Sequence, residues 1–168
     1  IDRLVSGAVV VAKKRSALRH LNEQMRRGQI DKYYFALTSS KPFMTTGTLD
    51  TYIGRSADRK RAIVLDSEDK KAKRALLKYG VEERAGIYQW DIRLITGRYH
   101  QIRLQLSNEG CPIIGDVLYG SAVEESRVGI GLHCYQMIFE DPGLSKKITV
   151  KSRVHNNPIF KKYLEVVR

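Results

Sequence analysis

The stretch Ile87-Tyr88-Gln89-Trp90-Asp91-Ile92-Arg93-Leu94-Ile95-Thr96-Gly97-Arg98-Tyr99-His100-Gln101-Ile102-Arg103 changes its period partway along. Up to Ile95, Tyr88, Trp90, Ile92 and Leu94 fall on one side and Gln89, Asp91 and Arg93 on the other. This is the two-residue repeat of a half-buried strand. Thr96-Gly97 breaks the pattern. From residue 100 to 107 the apolar anchors Ile102 and Leu106 lie four apart, as on one face of a helix, and Gly110 fits its stop.

Outward from this junction, strands dominate. Residues 32–38 alternate Tyr33, Phe35 and Leu37 against Tyr34, Ala36 and Thr38, with Pro42 beyond. Residues 75–81 and 132–139 are further strand candidates. Residues 47–64 are polar and suit a long hairpin or insertion, with Gly54 and a basic tip at residues 55–61. The apolar run at residues 8–12 suits a buried strand. Residues 14–27 switch to a helical period: Leu18, Leu21 and Met25 form a stripe, Arg19, Glu23 and Arg26 face outward, and Gly28 fits the stop. Several strands follow one another with no helix between them. The expectation is an α+β fold, a mostly antiparallel mixed sheet flanked by a few helices.

The 168 residues carry 30 Lys and Arg against 18 Asp and Glu, a net charge of +12. Such a field attracts polyanions, so nucleic acid leads the expected partners and an acidic membrane surface comes second. The cations come as short clusters (Lys13-Lys14-Arg15, Arg26-Arg27, Arg59-Lys60-Arg61, Lys70-Lys71) that a fold can bring to one face. No apolar stretch is long enough to span a bilayer, and no signal peptide is evident. The expectation is a soluble, cytoplasmic protein with no membrane partner. Cys111 and Cys134 form no disulfide framework and no C-x-x-C pair, so both are expected as core or half-buried thiols and no structural zinc is expected. Because Ile1-Asp2-Arg3 runs straight into a Ser6-Gly7 turn and an apolar run, the chain is expected to begin inside a structural unit of a longer protein.

Three places carry candidate chemistry. Asp2 stands at a strand entrance, where a carboxylate can serve as nucleophile or base, although a lone aspartate is more often a cap or surface charge. Tyr34 shares its sheet face with the small Ala36, which leaves room above the ring for a flat group such as a nucleobase. The commoner reading of such a tyrosine is simple packing. Residues 96–103 gather Arg98, His100, Gln101 and Arg103 within two helical turns, a density of donors suited to an anion or to an ionised carboxylate.

These residues together resemble the RluA-like pseudouridine synthases. Asp2-Arg3-Leu4-Val5-Ser6-Gly7 is similar to the latter part of that family's H-R-x-D-x-x-(S/T)-G motif. Lys32-Tyr33-Tyr34-Phe35-Ala36 matches K-x-Y-x-A. Residues 96–103, with Gly110-Cys111-Pro112-Ile113-Ile114-Gly115-Asp116 and Tyr119-Gly120, match T-G-R-x-H-Q-I-R … G-x-P-I-x-G-D … Y-G. Leu132-His133 with Phe139 and Asp141-Pro142 resembles the closing L-H-A … F-x-H-P element. Order and spacing agree over nearly the whole chain.

The resemblance implies that Asp2 is the catalytic aspartate. It further implies that Tyr34 stacks on the target base and assists proton removal, and that Arg103 pairs with Asp2. An aspartate beside an arginine is held ionised, as a nucleophile must be. The RNA-binding residues expected are Arg3, Arg59, Lys60, Arg61, Arg98, His100 and Gln101, with residues 55–61 as a mobile, RNA-contacting hairpin. The implied reaction converts uridine in structured RNA, ribosomal or transfer RNA, to pseudouridine, and the resemblance favours a glycal route. No metal and no cofactor are expected, and the protein is expected to be a monomer.

On this reading residues 1–168 form the catalytic domain, lacking its amino-terminal strands and the His-Arg before Asp2. Tyr99 and Cys134 depart from the small or polar residue and the alanine usual at their positions. The alternative from another class is a non-catalytic RNA-binding or RNA-chaperone module of the same fold.

Overall fold

The alternating half of the opening stretch is a strand in the middle of the sheet. The computed structural model describes residues 2–123, 129–144 and 146–165; Ile1 lies outside them. The strands are β1 (Ser6–Gly7), β2 (Asp31–Thr38), β3 (Thr46–Arg55), β4 (Ala62–Val64), β5 (Lys73–Arg84), β6 (Ile87–Leu94), β7 (Leu132–Glu140) and β8 (Lys147–Lys151). The helices are α1 (Arg15–Arg26), α2 (Gln101–Asn108) and α3 (Pro158–Glu165). The strands form one sheet of order β1-β7-β2-β6-β5-β3-β4, with β8 also paired to β7. Among the described residues only β1 with β7 is parallel, so the mixed, mostly antiparallel α+β fold expected from the sequence is what forms.

The two-residue period sorts the core into two layers. Tyr34, Ala36, Trp90, Ile92 and Leu94 face Ile102 and Leu106 of α2, while Leu37 on the other face packs with Ile114, Ile159 and Phe160. Trp90 is fully buried and donates its indole N–H to Thr38 Oγ1 at 3.0 Å, so this large ring leaves no buried donor unmet. β3 and β4 form the expected long hairpin, and the buried Cys111 and Cys134 are free thiols, as expected.

Two expectations fail in a way that shapes the site. The apolar run at residues 8–12 is no strand. The strand preceding it is only Ser6–Gly7, and at Gly7 (φ 121°) the backbone lies so close to Cys134 that an added Cβ would meet its carbonyl oxygen at 2.3 Å. After Ala8 donates its N–H to Cys134 O at 2.9 Å the chain leaves β7, whose edge is taken over by β8 from Gln136 onward. With no edge to pair, Val9 and Val11 remain exposed.

Of the α1 stripe only Leu21 packs against the core, and it stays partly buried. The helix is held by its single buried residue, Gln24, whose amide donates to Glu140 O at 2.9 Å and accepts from Glu140 N at 2.8 Å. That amide pair turns Leu18, Leu21 and Met25 towards a cleft in front of the sheet, and Leu18 and Met25 stay exposed. β8 and α3 were not anticipated.

Candidate active site

The cleft, about 540 Å³, lies between α1, the run at residues 8–12, β2 and the start of α2. Its wall is largely apolar, with Asp2, Tyr34 and Arg103 opening into it. The sequence thus brings its three expected catalytic residues to one place.

Arg103 is fixed by the way α2 is fastened to the sheet. Gln101 is buried; its Oε1 accepts from Thr96 Oγ1 at 2.8 Å and from the Arg98 backbone N–H at 3.0 Å, and its amide nitrogen donates to Gln105 Oε1 at 3.1 Å. Gln105, also buried, donates in turn to Ala75 O at 3.0 Å and Leu49 O at 3.2 Å. This chain of amides ties the first turn of α2 to β3 and β5. It meets the buried polar groups one by one, as a unique packing requires.

Next to it, His100 takes the left-handed conformation (φ 51°), a departure that costs a non-glycine residue of order 1–2 kcal/mol. Local strain of this kind is held only where the surroundings fix it.

The Arg103 guanidinium is buried and has a partner at each of its three nitrogens. Nε and Nη2 donate to the two oxygens of buried Asp116, both at 2.7 Å, in a bidentate fork. Nη1 donates to His100 Nε2 at 2.9 Å and reaches Asp2 Oδ2 at 3.4 Å. Burial alone would lower the Arg103 pKa; the hydrogen bonds and charge of Asp116, with that of Asp2, outweigh it and hold it above its ordinary value.

Because arginine has no acceptor, His100 Nε2 must be the acceptor and its proton sits on Nδ1. Nδ1 lies 2.9 Å from the Tyr119 hydroxyl oxygen, which also accepts the Ala62 backbone N–H at 2.7 Å. Burial, then the adjacent Arg103, lowers the His100 pKa, so the ring is neutral. The 3.6 Å separation between His100 and Asp2 is therefore proximity and not an ion pair. Asp2 is the partly open member, its side chain 28 % exposed against 4 % for Arg103.

Tyr34 forms the floor beside Asp2. Burial, followed by the Cys134 thiol and the Asp2 charge, pushes its phenol well above the ordinary tyrosine range. At neutral pH Tyr34 is a hydroxyl, able to relay a proton but not to take one as a free phenolate. The substituted position Cys134 lies directly across from Tyr34 in the β2–β7 register.

The other departure, Tyr99, links the basic hairpin to this centre. Its ring stacks on His100 (centroids 3.8 Å apart), Arg55 covers its other face at 4.1 Å, and its hydroxyl donates to Lys60 O at 3.2 Å.

The expected RNA-binding residues divide. Arg98, His100 and Gln101 line the cleft, where both ring nitrogens of His100 and the amide oxygen of Gln101 already have partners inside the protein. Arg3 is exposed next to Asp2 in the chain. Arg59, Lys60 and Arg61 are exposed at the β3–β4 tip.

That tip is no free arm. Ser56 N donates to Arg61 O at 2.9 Å, Arg59 N to Ser56 O at 2.8 Å and Lys60 N to Asp58 Oδ1 at 3.0 Å, closing a turn that docks on Tyr99. Sequence reasoning passed over Asp116. Its signal was a single acid inside the otherwise apolar stretch Ile113-Ile114-Gly115-Asp116-Val117-Leu118, since a charge embedded among such residues needs a partner.

Comparison with known proteins bears on the family and the fold. The sequence model described as RNA pseudouridylate synthase matches residues 1–108. An uncharacterised RNA pseudouridine synthase of Mycoplasma pneumoniae is 32% identical over 158 residues, 92% of this chain and 50% of that protein. The ribosomal large subunit pseudouridine synthase C of Rickettsia prowazekii is 32% identical over 122 residues, 72% of this chain and 40% of that one. The chain thus spans half or less of the length of these relatives.

Among solved structures, human RNA pseudouridylate synthase domain containing 1 superimposes over 100% of this chain and 78% of its own, with a TM-score of 0.77 at 22% identity. Human RNA pseudouridylate synthase domain containing 4 covers 91% and 69%, at 0.73 and 23%. At those identities the likeness speaks for the fold.

Proposed function

The chain belongs to the RNA pseudouridylate synthase family, and from this we propose that it is an isomerase that converts uridine in structured RNA to pseudouridine. The observation that carries the reading is the meeting of Asp2, Tyr34 and Arg103 in one apolar-walled cleft, with Arg103 forked to Asp116 and 3.4 Å from the Asp2 carboxylate.

The reaction breaks the N1–C1′ bond, turns the captive uracil and forms C5–C1′. C5 loses its proton and N1 gains one, so the product is an isomer. Asp2 is the catalytic carboxylate: on the glycal route it takes the C2′ proton of the ribose as the uracil leaves C1′ and returns it to C2′ when C5 adds to C1′, with the Arg103 guanidinium 3.4 Å away. Tyr34 carries the base on its ring and relays the C5 proton through its hydroxyl. The target must leave its stack to reach Asp2, at a cost of a few kcal/mol. The apolar wall and the basic surface of a chain with net charge +12 offset that cost.

Ribosomal or transfer RNA as substrate, a monomeric enzyme, a cytoplasmic setting and residues 1–168 as catalytic domain go with this reading. So does RNA contact by Arg3, Arg59, Lys60, Arg61 and Arg98. Among the described residues no helix is long and apolar enough to cross a membrane.

Release of tritium from RNA labelled at uridine C5 tests the proposal with the full-length protein. Release is expected. RNA binding without release would favour the non-catalytic RNA-binding module.

A further inference from the structure

A second groove, about 760 Å³, continues the cleft away from Asp2. The two share the wall made by Lys32, Gly97 and Arg98, and the groove runs on to Arg26 and Arg27 at the end of α1. Lys32 precedes Tyr34 by two residues on β2 and therefore points from the same sheet face. It is half-buried, and among the described residues no carboxylate pairs with it. Arg98, the cation that shares this wall, uses its Nε on Arg74 O at 3.1 Å, which leaves the terminal nitrogens of the fork for another partner. Arg26 and Arg27, by contrast, are both engaged with Glu23.

Gly97 completes the arrangement. Its backbone needs no left-handed conformation, but a Cβ there would meet the Lys32 ammonium at 2.7 Å. With a Cβ there the ammonium, the free end of a flexible side chain, would have to shift. Burial first, with Arg98 adding to it, holds Lys32 below the usual lysine range, although the facing Cys134 acts the other way. An anion set between Lys32 and Arg98 would relieve both effects.

We propose that Lys32 and Arg98 form the seat of an RNA phosphodiester next to the target uridine, so that the strand on one side of the target leaves the cleft along this groove. The inference rests on the cleft being the uridine site. It makes Lys32 a substrate-positioning residue in addition to Asp2, Tyr34 and Arg103. A phosphate here fixes register on the RNA and carries no sequence information.

The test uses the full-length protein and a single-stranded oligouridylate in which each linkage in turn is a neutral methylphosphonate. Affinity is read by fluorescence anisotropy against salt. Lys32→Met should weaken binding roughly ten-fold and reduce the salt slope by about 0.7, the value for one phosphate contact on a single strand. Lys32→Arg should restore most of both. In the parent, one neutral linkage should cost at least that factor, and in Lys32→Met that same linkage should cost clearly less than in the parent, because only Arg98 is then left to meet the phosphate. Gly97→Ala, which crowds the ammonium without removing it, should act in the same direction as Lys32→Met while leaving the thermal midpoint near the parent's.

Unchanged affinity and slope in Lys32→Met, or additive losses from the variant and the neutral linkage, would overturn the proposal. Tritium release scored on the same parent preparation separates this from the reading of the cleft. If the parent releases none, that reading fails, whereas the linkage experiment still decides whether Lys32 seats a phosphate.

Discussion

Asp116→Asn tests whether the buried fork is what holds Arg103 in place. The substitution keeps the shape of the side chain but removes the charge facing Arg103, and both side chains are at least 96 % buried (4 % and 1 % exposed). Removing one partner of a buried pair costs about 3–5 kcal/mol, because the other charge is left uncompensated. Here the lower end is expected: Arg103 keeps His100 at 2.9 Å and Asp2 at 3.4 Å, and the amide oxygen still accepts one bond. A loss of about 3 kcal/mol lowers the midpoint of a domain this size by roughly 6–12 °C.

Asp2→Asn removes the other carboxylate near Arg103. That carboxylate is partly solvated and more distant, so stability should fall by less than about 1 kcal/mol. Thermal and urea unfolding followed by circular dichroism reads both. The paired replacement Arg103→Met with Asp116→Leu should recover most of the stability lost in Asp116→Asn, since an apolar pair of similar volume removes the orphaned charge, and it should be inactive. If Asp116→Asn stays within about 1 kcal/mol of the parent, the fork does not organise the site and the account of Arg103 fails.

Tyr34→Phe keeps the ring and loses the relay. RNA affinity should stay within a few fold while single-turnover pseudouridine formation falls by about 100-fold or more, the usual worth of a positioned acid or base; normal turnover would remove the hydroxyl from the chemistry. His100, whose neutral form the fold favours, should titrate below its ordinary 6.5 in an NMR pH series. Its contribution to stability is complete above 6.5 and is lost as pH falls from there through the depressed value. A His100 that titrates above 6.5 would mean Arg103 does not donate to it. Replacing Arg59, Lys60 and Arg61 together with Ala should weaken binding to cognate and unrelated RNA alike and lower the salt slope by roughly 2. The unfolding free energy should change by no more than about half a kcal/mol per exposed site. An unchanged slope would put the RNA on another face.

Much of this architecture is legible in the chain because its strands are buried on one face and alternate cleanly. The Trp90, Ile92, Leu94 series and the Tyr34, Ala36 pair fix both register and the side that meets α2. Where apolar residues serve a purpose other than the core, the same signal misleads. Val9, Val11, Leu18 and Met25 read as buried, but they border the cleft or solvent, because pairing depends on a free sheet edge that only the tertiary fold reveals.

β8 and α3 were readable in retrospect. Ile148 and Val150 alternate with Lys147, Thr149 and Lys151, and Pro158 stands at the first helical position, where its missing N–H costs nothing. Within the site, Asp2, Tyr34 and Arg103 followed from motif order. The fork to Asp116 and the turning inward of His100 and Gln101 depend on a left-handed residue and a chain of buried amides that no local period records.

The most direct test of the central claim is pseudouridine formation by full-length Asp2→Asn, scored by tritium release from C5-labelled RNA beside RNA affinity measured on the same preparation. The account predicts loss of formation with affinity within a few fold of the parent, since the amide keeps the shape but is neither nucleophile nor base. Formation above about a hundredth of the parent rate would show that another residue carries the chemistry.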